Sequence, residues 1–289
     1  MDYYCFPTKT GDISVFFNLE QYHNSRERFF YEIAQEDVKL AKQKGKLLLF
    51  DLRTLTFIDY NGNVVNINGK EIFPRCKIQE SEQLLNAIEN NGGKSIVTQA
   101  DLKIVENWFE YIDVQREFLR TTFGKIQSNL PFYEEKYGNK FFLKTVKKQF
   151  SGICHIVQMG DNSKGLFAFV GHSMFGGNMI IADDSTPVLV TDILSIVKDD
   201  YGKREWRVFV VKNKIWCISR ASDDLVDIEP YVVEKIQRKI SELSEIAQFP
   251  SSYCIDFFEY DIKGEIIFDI CEFNSIESSG VYRNNDLVF

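Results

Sequence analysis

Cys-Ile-Asp-Phe at residues 254–257, followed by Ile-Cys-Glu-Phe-Asn at residues 270–274, places three oxygen-bearing side chains on two apolar segments that are predicted to be neighbouring strands. Successive side chains on a strand point to opposite faces, so Glu272 and Asn274 share one face, and Asp256 joins them if its strand pairs alongside. Two carboxylates and an amide oxygen suit Mg²⁺, which accepts a few protein oxygens and completes its shell with water and phosphates. The pattern therefore predicts a metal site.

The same side chains have a second interpretation, as the solvated polar face of an antiparallel hairpin. The turn would be Asp-Ile-Lys-Gly-Glu at residues 261–265, a composition typical of hairpin loops. A D…E-x-N pattern is short enough to occur by chance in many proteins. The hairpin is expected under both interpretations, and the choice between them depends on the rest of the chain.

Composition limits the classes of protein that this sequence can represent. The chain has 289 residues, enough for one large α/β unit or two modest domains. Its net charge of −8 argues against binding of duplex nucleic acid, which needs clustered Lys and Arg. The 6 Cys are scattered, with no C-x-x-C pair, and are typical of reduced thiols. With no signal peptide or membrane span in the sequence, a cytoplasmic protein that does not bind a membrane is expected.

Hydrophobic periodicity and turn residues predict an α/β first half and a strand-rich second half. In the first half we expect strands at 47–51, 56–58, 64–67 and 71–75 and helices at 80–90 and from 101 to about 121, with 21–42 mostly helical. In the second half we expect strands at 140–146, 152–158, 165–170, 187–196, 205–211 and 215–220, and a helix from 229 to about 246.

The segment at residues 141–152, Phe-Phe-Leu-Lys-Thr-Val-Lys-Lys-Gln-Phe-Ser-Gly, is predicted to be a strand that contains Lys144 and runs into a basic loop. Burying an ammonium group without a partner is costly, and a nucleotide phosphate would be a suitable partner. Backbone N–H groups of the loop, together with Lys148, could contact phosphate oxygens, although the loop does not match a P-loop. The alternative is a surface lysine whose charged end reaches solvent from an edge strand.

The segment Glu-Trp-Arg-Val-Phe-Val-Val at residues 205–211 places Arg207 on the same face of a strand as apolar side chains. A guanidinium group there should point at a polar partner, and its planar fork fits a phosphate or a carboxylate bidentately. An ion pair with Glu205 or Asp269 is the structural alternative. Arg220, at the end of the returning strand, has similar surroundings.

In their order along the chain, these elements resemble the ATP-grasp superfamily. The resemblance is strongest to a divergent branch of phages and bacteria whose eukaryotic relatives include a cell-cycle protein that assembles a translation initiation factor. The matching residues are 142–144, 205–210, 253–256, 272–274 and 279–282. The resemblance covers roughly residues 120–284, and residues 45–110 fit the α/β domain that commonly precedes an ATP-grasp domain.

The resemblance implies an α+β fold in which two α+β subdomains clasp ATP. Residues 1–121 would form the preceding α/β domain, called pre-ATP-grasp, and residues 122–289 the ATP-grasp domain. The implied metal ligands for Mg²⁺ are Asp256, Glu272 and Asn274. The implied ATP contacts are Lys144, Lys148 (with Lys125 in reserve), Asp192 at the adenine hinge, Arg207 and Arg220, of which Lys144 and Arg207 would also be catalytic.

The chemistry usual in this superfamily is activation of a carboxylate by phosphoryl transfer from ATP, followed by attack of an amine on the acyl phosphate. Positioning and charge neutralisation carry such a reaction, which suits a chain without an obvious catalytic nucleophile. We therefore expect an ATP- and Mg²⁺-dependent carboxylate–amine ligase, with a peptide or protein as a candidate substrate. The alternatives are an ATP-binding assembly or interaction factor without ligase turnover, and phosphoryl transfer without ligation.

Overall fold

The computed structural model describes residues 1–8, 38, 41–76, 78–146, 151–158, 164–168, 183–222 and 226–280. Within the predicted helical segment 21–42, the described residues are Val38, Ala41 and Lys42, which are helical. The rest of that segment lies outside the described residues.

The N-terminal part of the chain forms a five-stranded sheet of order β3-β2-β1-β4-β5. Its elements are β1 (Tyr3–Thr8), β2 (Leu47–Asp51), β3 (Thr56–Ile58), β4 (Glu71–Pro74) and β5 (Lys94–Ser95), with helices α1 (Ile78–Asn90) and α2 (Gln99–Glu106). β1 pairs in parallel with β2 and β4, and only β3 is antiparallel to its neighbour. Parallel strands are usually covered on both faces, which explains their continuous burial here.

The predicted strand at 64–67 is wrong. These residues contribute a single isolated bridge, between Val64 and Ile58, and the Val64 side chain is 75% exposed. Asn66 accepts a hydrogen bond on its side-chain oxygen from the backbone N–H of Asn68, and this local turn competes with strand pairing.

The predicted helix from 101 to about 121 is also wrong in its length. α2 begins with a capping box between Thr98 and Asp101 but ends at Glu106. The side chain of Asn107 then donates to the carbonyl of Lys103, which satisfies one of the last helical carbonyls. A short 3₁₀ turn (Trp108–Glu110) follows, and the chain enters a strand at Leu119.

The second sheet is antiparallel, with the order β6-β10-β7-β8-β9. Its strands are β6 (Leu119–Thr122), β7 (Lys140–Thr145), β8 (Ser151–Gln158), β9 (Lys164–Ala168) and β10 (Pro187–Thr191), and helices α3 (Phe123–Ser128) and α4 (Leu130–Tyr137) precede β7. Phe141 and Leu143 on one face of β7 pack in a core with Ile126 and Tyr133 of the helices. The predicted strand at 187–196 is divided into β10 and a separate short strand.

The third sheet has the order β11-β16-β14-β15, with β17 also paired to β16. Its elements are β11 (Ser195–Ile196), β14 (Glu205–Val211), β15 (Lys214–Arg220), β16 (Tyr253–Ile262) and β17 (Glu265–Asn274); the short hairpin β12 (Lys198–Asp199) and β13 (Gly202–Lys203) and helix α5 (Pro230–Ser244) complete this part. The turn between β16 and β17 has positive φ at Lys263 (56°) and Gly264 (91°), as a tight two-residue hairpin turn requires. The predicted hairpin is therefore confirmed.

The described residues form two compact units. One contains Met1–Tyr111, Ile196–Glu259 and Phe268–Phe289, and the other contains Ile112–Ser195 and Tyr260–Ile267. Strands and helices of both units confirm the predicted α+β class, whereas the domain limits 1–121 and 122–289 stay a prediction. Among the described residues, no helix is both long and apolar enough to cross a membrane.

Candidate functional site

One face of the third sheet carries some of the side chains that the sequence predicts for the site. Arg207 of β14 lies directly opposite Asp256 of β16, whereas the neighbouring residues Trp206 and Phe257 form the opposing pair on the other face. Alternation along β14 adds Glu205, and at the end of β17 the hydrogen bond from Asn274 to Asp256 adds Asn274 and with it Glu272, two residues earlier. This polar face consists of Glu205, Arg207, Asp256, Glu272 and Asn274.

Asp256 is the centre of the hydrogen bonds on the polar face. Nε and Nη2 of Arg207 donate to Oδ1 and Oδ2 of Asp256, both at 2.8 Å. Nδ2 of Asn274 donates to the same Oδ2, also at 2.8 Å. The Asp256 side chain is 2% exposed, so these charge-assisted bonds replace the water that the carboxylate loses on burial.

Apolar packing on the opposite face explains why the strands adopt this register. Trp206 of β14 lies 5.8 Å from Phe268 of β17, and Phe257 of β16 stacks on the same ring at 5.3 Å between centroids. Val208, in the next inward position, is completely buried. Because side chains alternate, burying these residues turns Arg207 and Asp256 towards the polar face.

Glu205 is a member of the polar face that the sequence analysis considered only as an ion-pair partner of Arg207. Burial raises the pKa of Glu205, and the nearby carboxylates of Asp256 and Glu272 raise it further, against the opposing charges of Lys203 and Arg207. Its position two residues before Arg207 in the strand was the sequence signal for a shared face. Three carboxylates therefore lie near one another on this face, with Lys203 and Arg207 as the cations close to Glu205.

Asp256, Glu272 and Asn274 offer oxygen donors that suit Mg²⁺ if phosphates and water supply its remaining ligands. The described residues contain no group of three or more His, Cys, Asp and Glu side chains arranged to hold a metal. Asp256 and Asn274 are held together by a hydrogen bond, and Glu272 lies near enough to raise the pKa of Glu205. Mg²⁺ commonly binds through one or two carboxylates and takes the remaining ligands from phosphates and water, and these hard oxygen donors suit that arrangement. The metal role of the three residues stays a prediction.

Lys144 lies in the second sheet, in the middle of three strands. It is opposite Leu189 of β10 on one side and Ser151 of β8 on the other, and its side chain is half-buried. Because β7 has a neighbour on both sides, the alternative of a lysine on an edge strand is wrong. Arg120 of β6 is also opposite Leu189, so it shares the face of Lys144, although no sequence pattern marked it as a site residue.

The other predicted ATP contacts of this part of the chain are Lys148, Lys125 and Asp192. Lys148 lies outside the described residues, and Lys125 is exposed on α3. Asp192 follows β10 directly and is exposed. A hydrogen bond to Glu117 raises the pKa of Lys136, and Asp192 adds a smaller electrostatic contribution, which places Asp192 near Lys136. The ATP roles of these residues stay predictions.

Arg220 lies on the opposite face of the third sheet from Arg207. It is opposite Trp206, is almost completely buried, and donates from Nη2 to Oδ1 of Asp199 at 2.5 Å. Asp199 also accepts a bond from Arg204, which in turn bonds Glu259 at 2.6 Å. The structure thus brings together Arg207, Asp256 and Asn274 but places Arg220 in a separate ion-pair network.

Comparison with known proteins finds similarity at the level of three-dimensional structure. No family model matches the chain, and a search of curated proteins finds no match. The chain is similar to a D-alanine-D-alanine ligase from Coxiella burnetii, with 10% identity and a TM-score of 0.49 over 100% of this chain and 88% of that one.

Two further solved structures are ATP-grasp proteins, the superfamily that this sequence resembles. A RimK domain protein from Sphaerobacter thermophilus has 12% identity and a TM-score of 0.45 over 95% of this chain and 92% of that one. The ligase PsnB, solved with a minimal precursor, Mg and ADP, has 11% identity and a TM-score of 0.44 over 94% and 88% of the two chains. At such low identity, the substrate and activity have to be inferred from this chain's own residues.

Proposed function

We propose that this protein is an ATP- and Mg²⁺-dependent ligase that joins a carboxylate to an amine. The observation that carries the proposal is the buried Asp256 carboxylate, held by Arg207 and Asn274 on a face that also carries Glu272. Adjacent strands thereby carry Arg207, whose side chain can recognise phosphate, together with carboxylate and amide oxygens, which are hard metal ligands. The matching order of Lys144, Arg207, Asp256 and Glu272 along the chain adds support.

Each residue has a distinct task in the proposed reaction. Glu272, Asn274 and Asp256 would hold Mg²⁺, which when bound neutralises charge on the phosphates. Arg207 bonds both oxygens of Asp256 and the carbonyl of Gly280, and these bonds fix the plane of its guanidinium group. The guanidinium group would contact the γ-phosphoryl group, and a phosphate contact of Lys144 on the second sheet is proposed from the sequence.

The proposed chemistry has two steps. A carboxylate oxygen of the substrate attacks the γ-phosphorus of ATP, so that the bond to the β–γ bridging oxygen breaks and ADP leaves. The amine nitrogen then attacks the acyl carbon, loses a proton and displaces phosphate. The protein's contribution is alignment and charge neutralisation, which matches the side chains present on the polar face.

The same proposal includes a peptide or protein as one of the two substrates. It also includes a domain boundary between residues 121 and 122 and a cytoplasmic location. The Arg220 network is left out of the proposed ATP site because it lies on the other face of the sheet. Asp192, Lys148 and Lys125 remain candidates for contacts to adenine and phosphate.

The deciding experiment measures ADP release from Mg-ATP in the presence of panels of amino acids and peptides. Release that depends on an acceptor and produces a new amide, identified by mass spectrometry, is the expected result. The double variant Glu272→Gln/Asn274→Ala should abolish Mg-ATP binding, whereas Glu234→Gln on the exposed side of α5 is the matched control. Unchanged binding in the double variant would overturn the site.

The same assay separates the ligase from the alternative of an assembly factor that binds ATP. Tight Mg-ATP binding to the unmodified protein, with no ADP release for any acceptor, is the result that favours the assembly factor. Phosphorylated substrate without amide product would instead indicate phosphoryl transfer alone.

A further inference from the structure

A short segment directly after β17, residues 275–280, is held by two arginines from different parts of the sequence. We propose that Arg75, at the end of β4, is a positioning residue: it fixes this segment, here called the 275–280 turn, and through it the places of Asn274 and Gly280 beside Asp256. The effect on Mg-ATP rests on the proposed function, whereas the effect on the turn does not.

Arg75 is among the most buried charged residues of the described chain, with 1% of its surface exposed. Its Nη1 donates to the carbonyl of Ile276 and its Nη2 to the carbonyl of Ser279. The guanidinium group lies over the ring of Phe73 and over the ring of Phe209, at 5.4 Å from each centroid. Such a buried cation is favourable only with partners of this kind, and a planar fork can reach two carbonyls at once.

Neighbours of Arg75 bind the middle of the same turn. The backbone N–H of Cys76 donates to the carbonyl of Glu277 at 2.8 Å. The hydroxyl of Ser81, in α1, donates to Oε1 of Glu277 at 3.0 Å, and Glu277 is 1% exposed. Ile276 is buried in the core of the N-terminal sheet. The hydrogen bonds fix the turn to residues 75–81, and the burial of Ile276 fixes it to the core of that sheet.

The other side of the turn contacts the polar face. Asn274, the residue before the turn, donates to Asp256 at 2.8 Å, and the carbonyl of Gly280 accepts from Nη1 of Arg207 at 3.2 Å. Within the turn, the N–H of Ser279 donates to the carbonyl of Ser275 at 3.1 Å. The turn is therefore compact, and a displacement at Ile276 or Ser279 would be transmitted to both contacts on the polar face.

Phe209 provides a second connection between Arg75 and the polar face. It lies on β14 two residues after Arg207 and on the same face of that strand. Arg75 thus contacts the strand that carries Arg207 as well as the turn that follows Asn274. In Arg75→Met the carbonyls of Ile276 and Ser279 lose their donors, and the turn should rearrange to find water or other partners.

The first test does not involve ATP. Amide hydrogen exchange is measured by mass spectrometry on the full-length protein without nucleotide, in Arg75→Met and in Leu84→Ala. Leu84→Ala is the control because it removes a fully buried side chain of α1 from the same core. We expect exchange in residues 275–280 to be faster by about tenfold or more in Arg75→Met than in Leu84→Ala, when both variants are measured equally far below their own Tm. Equal exchange in the two variants would overturn the proposal.

The second test measures the dissociation constant of Mg-ATP by calorimetry in a double-mutant cycle of Arg75→Met and Asn274→Ala. If Arg75 acts through the turn, Arg75→Met weakens Mg-ATP binding by about tenfold in the wild-type background and has little further effect when Asn274 is Ala. Additive losses, as expected for Leu84→Ala, would mean that Arg75 acts only on stability. Failure of the wild-type protein to bind Mg-ATP would instead overturn the proposed function, and hydrogen exchange would still decide whether Arg75 holds the turn.

Discussion

Arg207 and Asp256 face each other across β14 and β16 and are joined by two parallel hydrogen bonds of 2.8 Å. Arg207 would bind phosphate and Asp256 would bind metal. Their hydrogen bonds therefore couple the two proposed binding sites in the protein without ligand. A carboxylate has about four acceptor positions, of which Arg207 and Asn274 use three in the bonds described. Asp256 therefore serves first to orient the other two side chains.

Replacing Arg207 by Met should destabilise the protein strongly. The change leaves the buried Asp256 carboxylate with Asn274 as its remaining described donor, and breaking a buried ion pair costs about 3 kcal/mol, or a loss of roughly 5–10 °C in Tm. The measurement is thermal unfolding of the protein without ligand.

Arg53→Met is the matched control for that change. Arg53 also forms a bidentate pair, with Asp51, and this hydrogen bond lowers the pKa of Asp51 to about 2, but the Arg53 side chain is 56% exposed. Its removal should cost clearly less than that of Arg207, because solvent screens the exposed guanidinium group and Asp51 keeps the bond from the backbone N–H of residue 53. Equal losses of Tm in the two variants would contradict the view that Asp256 depends on Arg207.

Replacing Asn274 by Asp should make the stability of the protein depend on Mg²⁺. The change places a second carboxylate where Nδ2 of Asn274 now donates to Asp256, and like charges at that distance repel. Without metal the Tm should fall, and added Mg²⁺ should recover more stability than in the wild type because it binds the folded state. The measurement is thermal unfolding in EDTA and in a series of Mg²⁺ concentrations.

Asn107→Asp is the control for the metal response. Asn107 is a half-buried residue at the end of α2, where its amide donates to the carbonyl of Lys103. Its replacement removes a hydrogen bond and adds a charge, as at position 274, but away from the polar face. A Mg²⁺ response of the same size in both variants would argue against a metal site at Asn274.

Local patterns were enough to predict the hairpin and the shared face of Glu205 and Arg207. Alternation along residues 205–211 and the turn residues before Glu265 are short-range signals, and both agree with the structure. The partner of Arg207 was not predictable in the same way. Glu205 and Asp269 were considered, but the pairing with Asp256 depends on a register set by packing of Trp206, Phe257 and Phe268.

Long-range packing also explains the failures. The spacing of Val105, Trp108 and Ile112 continues a helical pattern beyond Glu106, yet Trp108 packs against Phe273, 5.4 Å away between centroids, in a chain that has left the helix. Arg75 was predicted only as the end of a strand. Its partners are backbone carbonyls 201 and 204 residues further on, and a carbonyl has no sequence signature.

Arg220→Met should show that the two faces of the third sheet have different roles. Arg220 is paired with Asp199 on the face of Trp206, so its loss should lower the Tm and change the Mg-ATP dissociation constant by no more than about twofold. Arg207→Met should weaken binding by about tenfold or more because it removes donors to phosphate. Nucleotide titration by calorimetry measures both.

Ile218→Ala is the stability control for Arg220→Met, because Ile218 is a fully buried residue of the same strand and lies on the same face. If Arg220→Met weakened Mg-ATP as strongly as Arg207→Met while Ile218→Ala did not, the sequence-based assignment of Arg220 as an ATP contact would be right, and the ion-pair network would belong to the site.

Glu205→Gln should change how stability depends on pH. Burial and the neighbouring carboxylates raise the pKa of Glu205 above the value of 4.5 expected for the unfolded chain, so the folded protein holds a proton that the unfolded chain has lost. Stability is therefore lost as pH rises from about 4.5 through the raised pKa, and it stays lower above that range. The variant cannot titrate there, so its Tm should exceed that of the wild type by an amount that grows across this range and then levels off. Thermal unfolding from pH 4 to 8, with the exposed Glu234→Gln as control, measures the difference. A constant difference at every pH would contradict a raised pKa of Glu205.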